Sequence, residues 1–171
     1  HNLLSIYGPQ GWWPLLDVKG SNPTKTDSIR GYHPGDYSYP KTKEQCFEIC
    51  IGAILTQNTA WTNVEKALLN LKGINALFPE TLKKLDDDTL KNAIRSAGYY
   101  NQKAKKIRIF TDFFIGLKGK PKREELLKLW GIGKETADSM LLYAFKVPTF
   151  VVDAYTKRML LKLKLITNND D

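Results

Sequence analysis

The sequence predicts an all-α fold, and three observations support this class. Apolar residues recur at spacings of three and four along seven separate segments, which is the periodicity of helices with one buried face. Proline, glycine and aspartate stand between these segments, where they can end one helix and begin the next. With 171 residues and 42% hydrophobic content, the chain can bury a substantial core without disulfide support.

The residues between the periodic segments fit helix ends. Asp87 or Asp88 can cap the start of one helix and Gly98 can close it, while Pro79 is assigned to a connection. The predicted helices are 43–55, 62–71, 88–97, 102–116, 124–129, 134–145 and 154–162.

Residues 1–42 differ in composition from the rest of the chain. They hold most of the prolines and many tyrosine, serine and aspartate residues, so we expect an extended, loop-rich arm. The part at 27–39 matches no pattern that we can interpret. It can lengthen a pocket wall or form a surface loop.

The chain is basic, with a net charge of +8 and an isoelectric point of about 9.4, which favours a polyanionic partner. A soluble basic protein without such a partner would have the same composition, so charge alone does not decide. The basic clusters at 103–108 and 118–123 can follow a phosphate backbone or form solvated helix faces. The sequence has no apolar run long enough to cross a membrane, so we expect a cytoplasmic protein.

A tight glycine turn joins the predicted helices at 124–129 and 134–145. Gly131 and Gly133 permit positive φ and, lacking Cβ, let a phosphate approach the backbone. The first amides of the helix that begins at Lys134 point outward and carry the positive end of its dipole. The turn is therefore a candidate anion site, although an ordinary helix-turn-helix corner with a glycine cap has the same residues.

Three stretches, in order along the chain, carry a resemblance to a known family. Residues 47–59 are FEICIGAILTQNT, residues 98–105 are GYYNQKAK, and residues 129–138 are LWGIGKETAD. Asp153 follows the last stretch at the distance that the family's catalytic aspartate keeps from its hairpin. With these motifs, the chain resembles the helix-hairpin-helix, endonuclease III-like DNA glycosylase superfamily over about 43–158.

The resemblance implies an all-α, two-lobed fold with a central DNA-binding cleft. It places a six-helix, barrel-like domain at 43–147, with the helix-hairpin-helix at about 124–145. Residues 1–42 and 148–171 would form the second lobe, which we expect to be incomplete at its C-terminal end. Asp153 would stand at the cleft.

Asp153 lies 22 residues after Gly131 and follows the apolar run Phe150-Val-Val. Breaking an N-glycosidic bond builds positive charge on the deoxyribose, so a fixed carboxylate beside C1′ stabilises the transition state and can orient water. An aspartate before a helix is also a common N-cap. Both roles can hold together, because the helix dipole favours the charged carboxylate.

The resemblance also assigns residues to DNA contact. Gln57 and Asn58 follow the first core helix, where the family inserts a side chain into the gap left by an extruded base. A polar helix end is the alternative for Asn58. Hairpin carbonyls are expected to hold a monovalent cation that bridges to phosphate, and no tightly bound metal is expected. The other predicted DNA contacts are Lys103, Gly131, Gly133, Lys134 and Thr136.

Glu135 occupies the position before Thr-Ala where family members that also cleave the strand carry a lysine. That amine attacks C1′ and forms a Schiff base, which a glutamate cannot do. Lys134 lies about 100° around the helix and is a poor substitute. We therefore expect a monofunctional glycosylase that leaves an abasic site, with Glu135 and Asp153 as catalytic residues.

The hairpin, together with the sequence GWWP at 11–14, most closely resembles the MagIII-type 3-methyladenine DNA glycosylases. In that type the segment lines the pocket for the extruded base, which implies that Trp12, Trp13 and Pro14 form the pocket here. A cationic alkylated adenine gains from stacking on indoles, and the carboxylate of Glu135 adds attraction. Without the resemblance, a hydrophobic plug is the better explanation of Trp12 and Trp13.

Two other functions stay open on sequence grounds. Endonuclease III relatives act on oxidised pyrimidines or on mispaired adenine or thymine, with or without strand cleavage, and one sequence does not distinguish these pockets. A non-catalytic helix-hairpin-helix module that binds DNA by shape, as part of a larger repair assembly, would need no carboxylate at Asp153.

Cys46 and Cys50 lie among apolar residues of the first core helix, so buried thiols are a better interpretation than metal ligands. The resemblance implies an iron-sulfur cluster only where four cysteines follow in a C-terminal segment, so we expect no cofactor within these 171 residues. The expected partner is double-stranded DNA that contains a damaged base. We expect a monomer to bind it, in a prokaryotic cytoplasm close to the nucleoid.

Overall fold

The computed structural model describes residues 2–21 and 31–167, and all regular segments in these ranges are helical. Within them, extended backbone pairs at one antiparallel bridge, between Ser21 and Tyr32. The uninterpreted stretch 27–39 is described from residue 31 onward. The predicted all-α class is confirmed.

Nine α-helices of the described residues form the fold, together with one 3₁₀ turn and one π-helical segment. The helices are α1 (Asn2–Tyr7), α2 (Lys43–Leu55), α3 (Trp61–Gly73), α4 (Pro79–Lys84), α5 (Asp87–Ala93), α6 (Tyr100–Gly116), α7 (Arg123–Leu127), α8 (Lys134–Ser139) and α9 (Ala154–Lys162). The 3₁₀ turn Arg95–Ala97 precedes α6, and the π-helical segment Met140–Ala144 directly continues α8.

The predicted ends of α2 and α9 are confirmed, whereas the sequence pattern missed α1 and α4. The assignment of Pro79 to a connection was wrong. Pro79 begins α4, at a position that tolerates its fixed φ and its missing N–H. The arm over 1–42 is also less extended than predicted, because it contains α1.

Helix α2 lies at the centre of the core, because every residue from 47 to 55 is buried. Such a helix has to be surrounded, and α3, α6 and the π-helical segment pack around it. The ring centroids of Phe47 and Phe114 lie 5.1 Å apart. The helix begins after Thr42, whose side chain accepts a hydrogen bond from the amide of Gln45 at 3.2 Å. Because residues 47–55 are buried, the C-terminal end of α2 is fixed within the core.

The N-terminal arm is attached to α2 through a buried carboxylate. Oε1 of Glu48 accepts a hydrogen bond from the amide of Leu16 at 2.8 Å, and Glu48 is 5% exposed. Burial raises the pKa of Glu48 from 4.5 to about 7, and the hydrogen bond from Leu16 offsets only part of this effect. The attachment holds the preceding residues, Trp12 and Trp13, against the helical body.

The substitution Glu48→Gln should stabilise the protein more at pH 8 than at pH 5. Because the folded pKa is raised, the wild type loses stability as the pH rises from the ordinary value of 4.5 through 7, and glutamine does not titrate. The difference in free energy of unfolding between variant and wild type should shift by about 2 to 3 kcal/mol between these pH values. Urea unfolding measures it, and a difference that does not change with pH would contradict the raised pKa.

Candidate active site

A cavity of about 370 Å³ lies where the N-terminal arm, the loop after α2, the hairpin helix α8 and the start of α9 meet. Its volume falls within the usual range of small-molecule pockets in proteins. We call it the base cavity, after the extruded base that the resemblance predicts it to hold. Three indoles, two phenols and two carboxylates dominate its walls, contributed by Trp12, Trp13, Trp61, Tyr143, Tyr155, Glu135 and Asp153.

The aromatic wall of the base cavity is a connected cluster. The ring centroid of Trp61 lies 4.9 Å from that of Trp12 and 5.4 Å from that of Trp13, and Trp13 lies 5.8 Å from Tyr143. The indole N–H of Trp61 donates to Oε1 of Glu65 at 2.8 Å, which fixes the orientation of that ring. Sequence reasoning missed Trp61 and Tyr143, because neither belongs to a local motif and only the fold brings them to the arm.

Trp12, Trp13 and Pro14 have different positions in the structure. Trp12 is half-buried and Trp13 is 5% exposed, and both line the base cavity. The indole of Trp13 packs on α2 so closely that a Cβ added at Gly52 would lie 3.0 Å from it. Trp13 is therefore both a core plug and a cavity wall. Pro14 is buried but does not line the cavity, contrary to the prediction.

Asp153 combines the two roles that the sequence left open. It is the N-cap of α9, and its Oδ1 accepts hydrogen bonds from the amide and the hydroxyl of Thr156, both at 2.7 Å. Its Oδ2 accepts no hydrogen bond from the described residues, and the half-buried side chain lines the base cavity. The cap thus fixes the carboxylate while one oxygen stays available.

Glu135 faces the same cavity from the first turn of α8. Partial burial and the negative charge of Asp153 raise the pKa of Glu135 above its usual value. The two carboxylates are therefore within electrostatic range of each other. Together they make the base cavity attractive to a positively charged group.

The two hairpin glycines differ in conformation. Gly131 has φ +83°, and a Cβ there would lie 2.5 Å from Cε of Lys106, so both the backbone and the packing require glycine. Gly133 has φ −90° and ψ 178°, so it does not use the positive φ that glycine permits. A Cβ on Gly133 would meet nothing within 4 Å, which leaves its backbone open to a ligand.

Gln57 is half-buried, lines a cavity beside the hairpin and is held by hydrogen bonds within the protein, while its contact with DNA stays a prediction. Its Nε2 donates to the carbonyl of Gly131 at 3.0 Å and to Oγ1 of Thr136 at 2.9 Å, and its Oε1 accepts from Nζ of Lys106. Thr136 is 8% exposed, and it lines a cavity beside the hairpin, so its side chain supports the hairpin while its contact with DNA stays a prediction. Asn58 is exposed, with φ +50°, and is the residue of this pair that faces solvent.

Lys103 is buried, which contradicts its predicted contact with phosphate. Its side chain is 2% exposed, and Nζ donates to the carbonyls of Leu55 and Ala97, each at 2.8 Å, and to Oγ1 of Thr59 at 2.6 Å. Burial lowers the pKa of Lys103 to about 8. This lysine joins the end of α2 to the turn before α6, and so supports the loop that carries Gln57.

The outer face of the hairpin forms a second cavity of about 540 Å³, which adjoins the base cavity because Glu135 lines both. Its walls are mainly polar and include the exposed residues Asn58, Gly133 and Lys134. Lys134 lines only this outer cavity. A polar cavity that contains Lys134 thus lies beside an aromatic cavity that contains two carboxylates.

An ion pair fixes the two hairpin helices relative to each other. The guanidinium of Arg123 in α7 donates to both carboxylate oxygens of Asp138 in α8, with Nε to Oδ1 at 2.6 Å and Nη2 to Oδ2 at 2.9 Å. Paired contacts of this kind define geometry as well as charge. Arg123, predicted as part of a basic surface cluster, is therefore a structural residue of the hairpin.

Within the described residues, no three His, Cys, Asp or Glu side chains converge on a possible metal site. Cys50 is buried in α2, and the thiol of Cys46 donates to the carbonyl of Ala144 at 3.3 Å. These two cysteines do not fit the ligand set of an iron-sulfur cluster. None of the described helices is long and apolar enough to span a membrane.

Sequence comparison relates the chain to DNA repair proteins. Residues 51–171 match the family described as "HhH-GPD superfamily base excision DNA repair protein". The chain is 40% identical over 176 residues to "Putative DNA repair glycosylase MJ1434" of Methanocaldococcus jannaschii, covering 96% of this chain and 67% of that protein. It is 35% identical over 117 residues to endonuclease III of Thermotoga maritima, covering 66% of this chain and 54% of that protein.

Two solved structures have the same arrangement of helices. The H. pylori 3-methyladenine DNA glycosylase MagIII bound to 1,N6-ethenoadenine gives a TM-score of 0.65 at 31% identity, over 75% of this chain and 68% of that chain. A non-covalent endonuclease III–DNA complex gives a TM-score of 0.67 at 28% identity, over 74% of this chain and 60% of that chain. The chain therefore belongs to the HhH-GPD superfamily of base excision DNA repair proteins and has its helix-hairpin-helix, endonuclease III-like fold.

Proposed function

We propose that the protein is a monofunctional DNA glycosylase that removes alkylated purines, with 3-methyladenine as the preferred base, from double-stranded DNA. The observation that carries this proposal is the base cavity, where three indoles adjoin the carboxylates of Glu135 and Asp153. Flat aromatic walls suit a purine, and nearby negative charge suits a purine that an alkyl group has made cationic. The likeness to a 3-methyladenine glycosylase supports the same assignment.

The aromatic walls and the carboxylates favour release of a cationic base. Contact with a desolvated indole face stabilises the cation by about 1 to 2 kcal/mol, and Glu135 adds electrostatic attraction. When the bond between C1′ and the base nitrogen breaks, the bonding electrons neutralise the base. Such a base is a good leaving group and needs no proton from the enzyme.

Asp153 acts on the sugar rather than on the base. As the base departs, positive charge develops at C1′, and a carboxylate held in place beside it stabilises that charge without having to reorganise. The hydrogen bonds from Thr156 hold Oδ1 in place, and Oδ2 can accept a proton from the attacking water. Water then adds to C1′ and leaves an abasic site.

Replacing Asp153 by asparagine should remove base release and preserve DNA binding. Asparagine is also a good N-cap, so α9 should keep its start, while the charge that stabilises C1′ is lost. We expect single-turnover release of 3-methyladenine from alkylated duplex DNA to fall by about 100-fold or more. Strand breaks should appear with the wild type only after alkali.

Other outcomes would support the alternative functions. Release of oxidised pyrimidines or mispaired bases, without release of alkylated purines, would indicate an endonuclease III-type specificity. Tight DNA binding without release of any base, and unchanged in Asp153→Asn, would indicate a non-catalytic module. Strand cleavage by the wild type before alkali would contradict the monofunctional assignment.

Replacing Glu135 by lysine should create a covalent intermediate that the wild type does not form. Glu135 lines the base cavity, whereas Lys134 lines the outer cavity and not the base cavity, which supports the proposal that the wild type forms no imine with C1′. Borohydride should trap Glu135→Lys on damaged duplex DNA through its imine, and should trap neither the wild type nor Glu135→Gln. Trapping of wild type that disappears in Lys134→Gln would show that the neighbouring lysine reaches the sugar.

Replacing Trp12 by leucine should weaken release of a cationic base without unfolding the protein. Trp12 is half-buried, so leucine can fill part of its space, but the cation–π stabilisation is lost. We expect the single-turnover rate for 3-methyladenine to fall about 5- to 30-fold. Trp12→Phe should retain part of the rate. Thermal unfolding of each variant checks that the substitution has not destabilised the protein. Equal rates for Trp12→Leu and the wild type would contradict a role of Trp12 in binding the base.

A further inference from the structure

The π-helical segment after α8 directs a tyrosine into the base cavity. Glu135, Ser139 and Tyr143 follow one another at intervals of four residues, and all three line the cavity. In a regular α-helix, two such steps would place the third residue about 80° away from the first. From Met140 the helix has wider, π-type turns, which offset this drift. Tyr143 therefore stays on the face that contains Glu135.

Tyr143 lines the base cavity and also a neighbouring cavity that contains Tyr37, and it has a hydroxyl that can donate to a bound base. No hydrogen bond among the described residues uses it, and the half-buried ring lies 5.8 Å from Trp13 across the cavity wall. Burial, together with the negative charge of Asp153, raises the pKa of Tyr143 above its usual value. The hydroxyl therefore keeps its proton at neutral pH and can act as a hydrogen-bond donor.

From this geometry we propose that the Tyr143 hydroxyl donates a hydrogen bond to the departing base, and that this contact lets the site release uncharged modified purines as well as cationic ones. The inference extends the proposed glycosylase function and rests on it. A cationic alkylpurine becomes neutral when its glycosidic bond breaks. It gains little from a hydrogen-bond donor, whereas an uncharged purine leaves as an anion, which a donor stabilises.

The release of an uncharged purine needs no reactant other than water. The bond between C1′ and N9 breaks, and both electrons stay on the base, which is anionic until it gains a proton. The hydrogen bond from Tyr143 stabilises this anion, and Tyr143 keeps its own proton. Water supplies a hydroxyl group to C1′, with Asp153 beside the reacting carbon, and the remaining proton of that water neutralises the base.

Two substrates and two variants test this role. Single-turnover release of 3-methyladenine, a cationic base in DNA, is compared with release of 1,N6-ethenoadenine, an uncharged one, for wild type, Tyr143→Phe and Tyr37→Phe. Tyr37 is 68% exposed and lies outside the base cavity. The variant Tyr37→Phe also loses one tyrosine hydroxyl and therefore serves as the matched control. Thermal unfolding should be the same for all three proteins.

Tyr143→Phe should lower release of 1,N6-ethenoadenine by about tenfold or more and release of 3-methyladenine by less than about threefold, with Tyr37→Phe like wild type. Equal loss on both substrates would show a structural role and overturn the inference. Unchanged release of 1,N6-ethenoadenine by Tyr143→Phe would also overturn the inference. A wild type that does not release 1,N6-ethenoadenine would overturn it as well. Failure of the wild type to release 3-methyladenine would instead overturn the proposed function.

Discussion

The amide of Gln57 joins the loop after α2 to the hairpin, and the geometry of the site depends on this contact. One side chain donates to the carbonyl of Gly131 and the hydroxyl of Thr136, and accepts from Lys106. The hairpin is thus fixed from inside, at the point where α8 begins. Because α8 carries Glu135 in its first turn, the same contact sets the distance between that carboxylate and the aromatic wall.

Residues of the base cavity also stabilise the fold, so packing and hydrogen bonds hold the walls of the cavity in place. Trp13 packs against α2 and lines the cavity, and Asp153 caps α9 while one of its oxygens stays available. The buried Glu48 attaches the arm that carries the indoles. A preorganised pocket of this kind suits a reaction whose main requirement is stabilisation of charge at a fixed place.

The sequence predicted those parts of the site that depend on local motifs, and missed those that depend on tertiary contacts. The hairpin and Asp153 were predicted from short motifs and from the family resemblance that these motifs carry. Lys103 was misplaced because its burial depends on three acceptors that only the fold brings together. Trp61 comes from the start of another helix, and Tyr143 reaches the cavity through a π-helical segment that 3.6-residue periodicity does not reveal. Pro79 was misplaced because proline also fits the first turn of a helix.

The proposed position of Asp153 beside the deoxyribose can be tested most directly with uncleavable duplexes. One duplex carries a pyrrolidine in place of the damaged nucleotide, which is positively charged like the sugar in the transition state, and the other carries an uncharged tetrahydrofuran. At fixed pH and salt, the wild type should bind the pyrrolidine duplex about tenfold or more tightly, and Asp153→Asn should bind both duplexes equally. Equal binding of the two duplexes by the wild type, or a preference that survives in Asp153→Asn, would contradict the assignment of Asp153 to the reacting carbon.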